Sequence, residues 1–287
     1  MITQPITLNL QENSVAKVYA ITNQKGGVGK TTTTVNLAAS LAATKRKILL
    51  IDLDPQGNAT MGCGINKAEL AHSVYDVLVA GRSIADTVVA APDCGFMVLP
   101  ANQDLTAAEV ELLNEIGREF RLREALAPIL GDYDYILIDC PPSLNMLTIN
   151  ALAGATGVII PMQCEYYALE GLSALITTIN RVKQLINPKL EIEGILRTMF
   201  DGRNSLTNQV TDELRRHFGE KLYSTVIPRN VRLAEAPSHG LPILFYDKQS
   251  KGSLAYLALA GEMLRRAGKT EVSSDLSANE QLGHSHG

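Results

Sequence analysis

Six short runs of apolar, largely β-branched residues recur along the chain: VYAIT at 18–22, KILLID at 47–52, FMVLP at 96–100, YDYILID at 133–139, GVIIP at 157–161 and EIEGILRTMF at 191–200. Most are apolar throughout instead of alternating with polar residues, the pattern of strands covered on both faces. Between them lie segments of helical period: TTTVNLAASLAA (32–43), AAEVELLNEIGREFRLREAL (107–126), ALEGLSALITTINRVKQLI (168–186) and LTNQVTDELRRHF (206–218). Strands alternating with helices along one chain predict a doubly wound α/β fold, a mostly parallel sheet flanked by helices. SLAYLALAGEMLRRAG (253–268) closes the pattern, its apolar positions 254, 257, 260 and 264 marking a helix docked on the core. One domain is expected over 17–268, after a short N-terminal extension, 1–16. The polar, aperiodic stretch 269–287 is expected to be a disordered tail, with two histidines too few to build a structural metal site.

A doubly wound sheet binds ligands beyond the carboxyl ends of its strands, which puts the loops 23–31, 52–58 and 139–143 on one rim. The first reads QKGGVGKT at 24–31, set between a buried strand and a helix. That context suits a phosphate loop, in which glycines turn successive N–H groups inward and the helix N-terminus adds positive potential. Lys30 then supplies charge to the β and γ phosphates, and Thr31 places its hydroxyl on Mg²⁺. The usual pattern, G-x-x-x-x-G-K-[ST], asks for glycine at position 24, where this chain has Gln24. In its place comes Lys25-Gly26-Gly27, so the loop carries two lysines. With the backbone between them curled around phosphates, the Lys25 side chain is expected to leave the loop on its outer side.

The second loop, DLDPQGN at 52–58, carries Asp52 and Asp54 on one side of an extended chain, where both could reach a metal and the attacking water. The third, YILIDCPPS at 135–143, ends a hydrophobic strand in Asp139, the Walker B arrangement that holds Mg²⁺. Three such strand ends in one sheet predict an ATP–Mg²⁺ site.

Composition excludes several classes. The chain has 287 residues, 46% hydrophobic, with a formal net charge of -4, which argues against a surface that coats nucleic acid everywhere. Cys63, Cys94, Cys140 and Cys164 are scattered without a C-x-x-C pair, so neither a zinc site nor a disulfide framework is indicated, and reduced thiols in the cytoplasm are expected. Neither an export signal nor an uninterrupted apolar span of about 18 residues is present, so neither export nor a transmembrane helix is expected.

The string Lys25-Gly26-Gly27-Val28-Gly29-Lys30-Thr31 resembles the deviant Walker A of the ParA/MinD/nitrogenase iron protein group of P-loop ATPases. DLDPQGNAT, DCPPS, NALAGATGVIIPMQCEYYALEGL, DGR at 201–203 and VIPRNVRLAEAPSHG at 226–240 extend the likeness to chromosomal ParA proteins of the Soj type, over nearly all of 17–267. The resemblance implies a dimer switch: monomers bind ATP and Mg²⁺, sandwich two nucleotides, bind double-stranded DNA nonspecifically as homodimers, and are reset by hydrolysis. A ParB (Spo0J-type) centromere-binding protein would stimulate that weak ATPase, and the protein would be associated with the nucleoid.

Carried over residue by residue, Lys25 reaches across the dimer interface to the partner's phosphates, and Gly26 sits where the subunits pack closest. By the same resemblance Gly27, Val28, Gly29, Lys30, Thr31, Thr32 and Pro228 would contact the nucleotide. Thr31, Asp54 and Asp139 would serve the metal site, Asp54 also orienting the attacking water. Arg203 and Arg232 fall where that family's DNA-binding arginines lie. From Arg197 to Arg232 seven basic residues (Arg197, Arg203, Arg215, Arg216, Lys221, Arg229, Arg232) face four acidic ones, a modest local excess. The stretch before the first strand is too short for a helix-turn-helix, and 253–268 lacks the basic amphipathic character of a membrane anchor. Cys140 and Cys164 are expected to be buried small residues, not ligands of an iron–sulfur cluster. The alternative left open is a ParA-like ATPase that positions another cargo, a protein organelle or a chemoreceptor array.

Overall fold

The computed structural model describes residues 15–283, with side chains to 268. Eight strands form one sheet: β1 (Lys17–Ile21), β2 (Ile48–Asp52), β3 (Val89–Ala90), β4 (Met97–Leu99), β5 (Tyr135–Asp139), β6 (Gly157–Gln163), β7 (Glu191–Phe200) and β8 (Leu222–Pro228). Their order is β3-β4-β2-β5-β1-β6-β7-β8. All pairings are parallel except β3 with β4. The expected doubly wound, mostly parallel sheet is therefore present.

Eleven α-helices are described: α1 (Lys30–Ala42), α2 (Asn58–Gly62), α3 (Val74–Leu78), α4 (Leu105–Glu111), α5 (Arg121–Leu126), α6 (Met146–Gly154), α7 (Ala168–Leu185), α8 (Ser205–Phe218), α9 (Val231–Glu235), α10 (Ile243–Tyr246) and α11 (Lys251–Gly283). They cover both faces because each central strand buries side chains on both. Val18, Ala20, Leu49, Ile51, Ile136 and Ile138 pack on the face of α5, α6 and α7. Tyr19, Ile21, Ile48, Leu50, Tyr135 and Leu137, the alternate positions, pack on the face of α1 and α11.

Register brings the site together. Ile21 pairs with Asp139, and Asp139 with Asp52, so β1, β2 and β5 end level at one edge. The three loops that follow share that rim.

The structure departs from the sequence reading in four places. Strands β3 and β8 were not expected. The β8 sequence LYSTVIP carries serine and threonine because β8 is an edge strand, partly exposed. Two of its N–H groups are covered: Ser224 N and Thr225 N donate to the Glu262 carboxylate, both at 2.8 Å. The helix expected over 107–126 is divided, since Gly117 adopts a left-handed φ of 69° that no helix continues through. Helix α11 continues in backbone through Gly283, beyond the boundary drawn at 268. Residues 1–14 of the extension, together with His284 and His286, lie outside the described residues. Among the described residues no helix is long and apolar enough to cross a membrane.

Candidate functional site: a phosphate loop at the sheet edge

Helix α1 begins without a side-chain cap and without an acidic residue in its first turn; its N-cap is Gly29, at φ 87°. The N–H groups of the first turn are thus left for an outside acceptor, and the helix dipole favours an anion there. Gly27 (φ 73°) and Gly29 hold left-handed conformations that side chains resist. The far wall of the loop is pinned by Thr198 on β7, whose hydroxyl donates to Val28 O at 2.8 Å. Asn23 fixes the near wall: its Oδ1 accepts from Lys25 N at 3.0 Å and its Nδ2 donates to Pro161 O at 2.8 Å.

The two lysines of the loop part company. Lys30 is 7% exposed, and its ammonium turns back over the loop to Lys25 O at 3.3 Å. Burial pushes its pKa below the ordinary value, against the opposing pull of Asp139. The Lys25 side chain leaves on the outer side, half exposed, and pairs with Glu165 in the loop between β6 and α7. A Cβ built on Gly26 meets nothing within 4 Å, and Gly26 lacks a positive φ. Nothing among the described residues therefore demands glycine at that position.

Asp139 is fully buried, and its two oxygens accept from Thr31 Oγ1 at 2.7 Å and Thr34 Oγ1 at 3.0 Å. Burial raises its pKa far above the carboxylate range, and Asp52 beside it raises it further. Among the described residues no lysine or arginine forms an ion pair with it. A buried carboxylate beside a threonine hydroxyl at the mouth of a phosphate loop fits Mg²⁺, a hard cation taking few protein oxygens alongside water and phosphate.

Asp52 and Asp54 do different work, contrary to the expectation that both could reach the metal. Asp52 Oδ2 accepts from Thr60 N and Thr60 Oγ1, both at 2.8 Å, and Oδ1 accepts from Asp54 N at 3.1 Å. It is fully buried and ties the 52–60 loop to itself. Asp54 is only partly buried; Oδ1 accepts from Gln56 N at 2.9 Å, leaving Oδ2 without a hydrogen bond among the described residues.

Beside the loop, Gly29, Thr32, Met199 and Pro228 help to line a cavity of about 350 Å³. Its size, largely apolar wall and place next to the phosphate loop suit a nucleoside. A larger cavity, about 700 Å³, lies by β8 and α11 and shares no residue with the loop.

The basic stretch is thinner at the surface than its sequence suggests. Arg197 is buried at 5% exposure, its guanidinium donating to Tyr223 O at 2.8 Å and Ser224 O at 3.3 Å. It belongs to the core and not to a surface patch. Arg203 is 91% exposed in its side chain and grips Asp201 at 2.9 and 2.8 Å, holding that carboxyl down at about 2. Arg232 pairs with Glu235 at 2.9 Å and Asp247 at 3.5 Å. The four cysteines are free and buried, as expected for small core residues.

Residues 16–192 match the family model described as an AAA domain. The chain is 54% identical over 249 residues to the sporulation initiation inhibitor protein Soj of Bacillus subtilis, spanning 87% of this chain and 98% of that one. It is 54% identical over 253 residues to the chromosome partitioning protein ParA of Myxococcus xanthus, spanning 88% and 89%. Among solved structures, cobyrinic acid a,c-diamide synthase of Mycobacterium smegmatis, with bound ATP analog and magnesium, matches with a TM-score of 0.78 and 38% identity over 88% of this chain and 96% of that one. The cell division ATPase MinD of Pyrococcus furiosus matches at 0.72 and 25% identity, covering 87% and 99%. With a phosphate loop of two lysines, the threonine-bound carboxylate behind it, and likeness across nearly the whole of two partitioning proteins, the chain belongs to the ParA/Soj family of chromosome-partitioning P-loop ATPases.

Proposed function

We propose that this protein is an ATP-driven dimer switch that partitions DNA. The observation that carries the proposal is the divergence of the two loop lysines: Lys30 is buried over the phosphate cradle, while Lys25 points out of it. A lysine that leaves its own phosphate site supports a role in another one. In this reading the backbone N–H groups of 26–31, with Lys30, bind the phosphates of ATP, and Thr32 and Pro228 hold the nucleoside end. Thr31 and Asp139 would hold Mg²⁺, which would supply positive charge to offset the negative charge of the phosphates. Asp54 orients the attacking water through its free oxygen. Lys25 of one subunit then stabilises charge on the other's γ phosphate, so hydrolysis depends on association. The open space around Gly26 supports close approach of the second subunit, since no described residue sets a demand for glycine there.

The dimer binds double-stranded DNA nonspecifically through Arg203 and Arg232, which exchange their ion pairs with Asp201 and with Glu235 and Asp247 for DNA phosphates. A ParB-type centromere-binding protein stimulates hydrolysis and releases the dimer, which otherwise resides on the nucleoid in the cytoplasm.

DNA binding by the hydrolysis-blocked Asp54→Ala protein tests the switch. With Mg²⁺ and ATP, binding is expected to be tight and to weaken steeply with salt; with ADP it is lost. Arg203→Ala with Arg232→Ala lowers affinity and flattens the salt dependence by about one counterion per arginine. Equal binding by monomer and dimer, or undiminished binding by the double variant, would sink the proposal.

A further inference from the structure

The resting position of Lys25 is held by a specific group. Its ammonium meets the Glu165 carboxylate, 140 residues away in the loop joining β6 to α7. Neither side chain has another partner among the described residues. Both backbones are anchored by bonds other than the ion pair itself. Asn23 Oδ1 fixes Lys25 N, while Lys25 O receives the Lys30 ammonium. Glu165 sits in a turn closed by Glu165 N to Gln163 O and by Ala168 N to Glu165 O, both at 3.0 Å, directly after the buried Cys164. The ion pair can therefore break by rotation of two side chains, with no change in either loop. With side-chain exposures of 49% and 52% it is also a weak pair, suited to being exchanged.

Resting on the proposal that Lys25 acts across an ATP-bound dimer, we infer that Glu165 is a latch: it parks Lys25 against its own subunit and competes with the partner's nucleotide for that ammonium. The pairing is exclusive, because one ammonium at the tip of one side chain cannot lie on Glu165 and on phosphates of another subunit at once. Glu165 therefore sets the threshold of association. A partner must offer more negative charge than a single carboxylate, which a nucleoside triphosphate does and a vacant or spent site does less well.

An exposed ion pair of this kind contributes a factor of about 1.4 to 5 to an equilibrium, and a symmetric dimer breaks two of them. Replacing Glu165 should therefore lower the dimerisation midpoint by about 2- to 30-fold. The direction is diagnostic: a residue that merely supports the loop would weaken the dimer on removal, whereas a latch strengthens it.

The experiment is sedimentation of the full chain with Mg²⁺ and ATP in the Asp54→Ala background, with and without Glu165→Gln. Glu165→Gln is expected to dimerise at lower protein concentration, the gap narrowing at high salt as the latch is screened in the parent. In a Lys25→Ala background the same change should have no effect. Glu165→Asp, one methylene shorter, should fall between, and serves if the glutamine variant folds poorly. An unchanged or raised midpoint for Glu165→Gln, while the parent still dimerises with ATP, overturns the latch and leaves the dimer reading standing. A parent that stays monomeric with ATP at every concentration removes the dimer reading, and the latch with it.

Discussion

Thr60 shows how the 52–60 loop is held for function, and its replacement by valine can be worked through from the structure. Its hydroxyl donates to Asp52 Oδ2 at 2.8 Å and accepts from Ala101 N at 2.9 Å, with both side chains fully buried. Valine has nearly the same shape but can do neither, so one buried carboxylate oxygen loses a donor and one buried N–H loses its acceptor. At about 1–3 kcal/mol for each of the two groups that loses a partner, less about 1 kcal/mol for the methyl that replaces the hydroxyl, the loss is about 1–5 kcal/mol. That corresponds to a fall in Tm of about 2–20 °C. Thr60→Ser keeps the hydroxyl and drops only a methyl, at about 1 kcal/mol. The sign of the pH dependence follows from Asp52. Burial raises its folded-state pKa above the unfolded value, so the folded state is penalised as pH rises and Asp52 ionises, and the Thr60 donors limit that penalty. Removing the hydroxyl, while the backbone donor stays, deepens it, so the deficit of Thr60→Val should be larger at about pH 8 than at about pH 5, where Asp52 is protonated. Urea unfolding of both variants at the two pH values is the assay. A valine variant no less stable than the serine one, or a deficit that grows as pH falls, would refute the reasoning.

Further predictions concern the site itself. Lys30→Ala should lose affinity for a fluorescent ATP analogue, and Lys25→Ala should retain it while losing partner-stimulated hydrolysis; equal losses in the two variants would contradict the separate roles assigned to them. Gly26→Ala should unfold within about 0.5 kcal/mol of the parent, because its Cβ meets nothing, yet fail to dimerise with ATP. Gly194→Ala, by contrast, drives a Cβ to 2.4 Å from the Tyr223 ring and should lose about 1–3 kcal/mol by overpacking. Because burial holds the Asp139 pKa high, binding of Mg²⁺ with nucleotide must expel a proton; affinity should fall as pH is lowered from neutrality, and calorimetry should show buffer-dependent heats, which a pH-independent affinity would contradict.

The central strands were legible because burial on both faces leaves apolar runs that have few other uses, and the phosphate loop because glycine, lysine and threonine at that spacing follow from the chemistry of the ligand. Thr34 was within reach of the same reasoning, since it stands three residues beyond Thr31 on one helix face and shares Asp139. What escaped depends on contacts distant in sequence. Arg197 counts as basic in any local tally, yet register on β7 turns it into the core. Asp52 and Asp54 alternate in a way that puts them on one side, yet Thr60, reached only when the loop folds back, claims Asp52. Glu165 lies in an unremarkable loop until β1 and β6 pair and bring it to Lys25.

The central claim, that Lys25 completes the site of the other subunit, is tested most directly by mixing two inactive proteins. Lys25→Ala keeps its own Asp54 but has no lysine to lend, and Asp54→Ala cannot orient water but still offers Lys25. In a dimer of one of each, the nucleotide on the Lys25→Ala subunit meets its own Asp54 and the partner subunit's lysine, so that site is whole. An equal mixture forms half its dimers as hybrids with one whole site each, and stimulated ATPase activity should recover to about a quarter of the unsubstituted level. If hybrids form, as shown by co-purification of differently tagged chains, and the mixture hydrolyses no faster than its two components apart, Lys25 does not act across the interface.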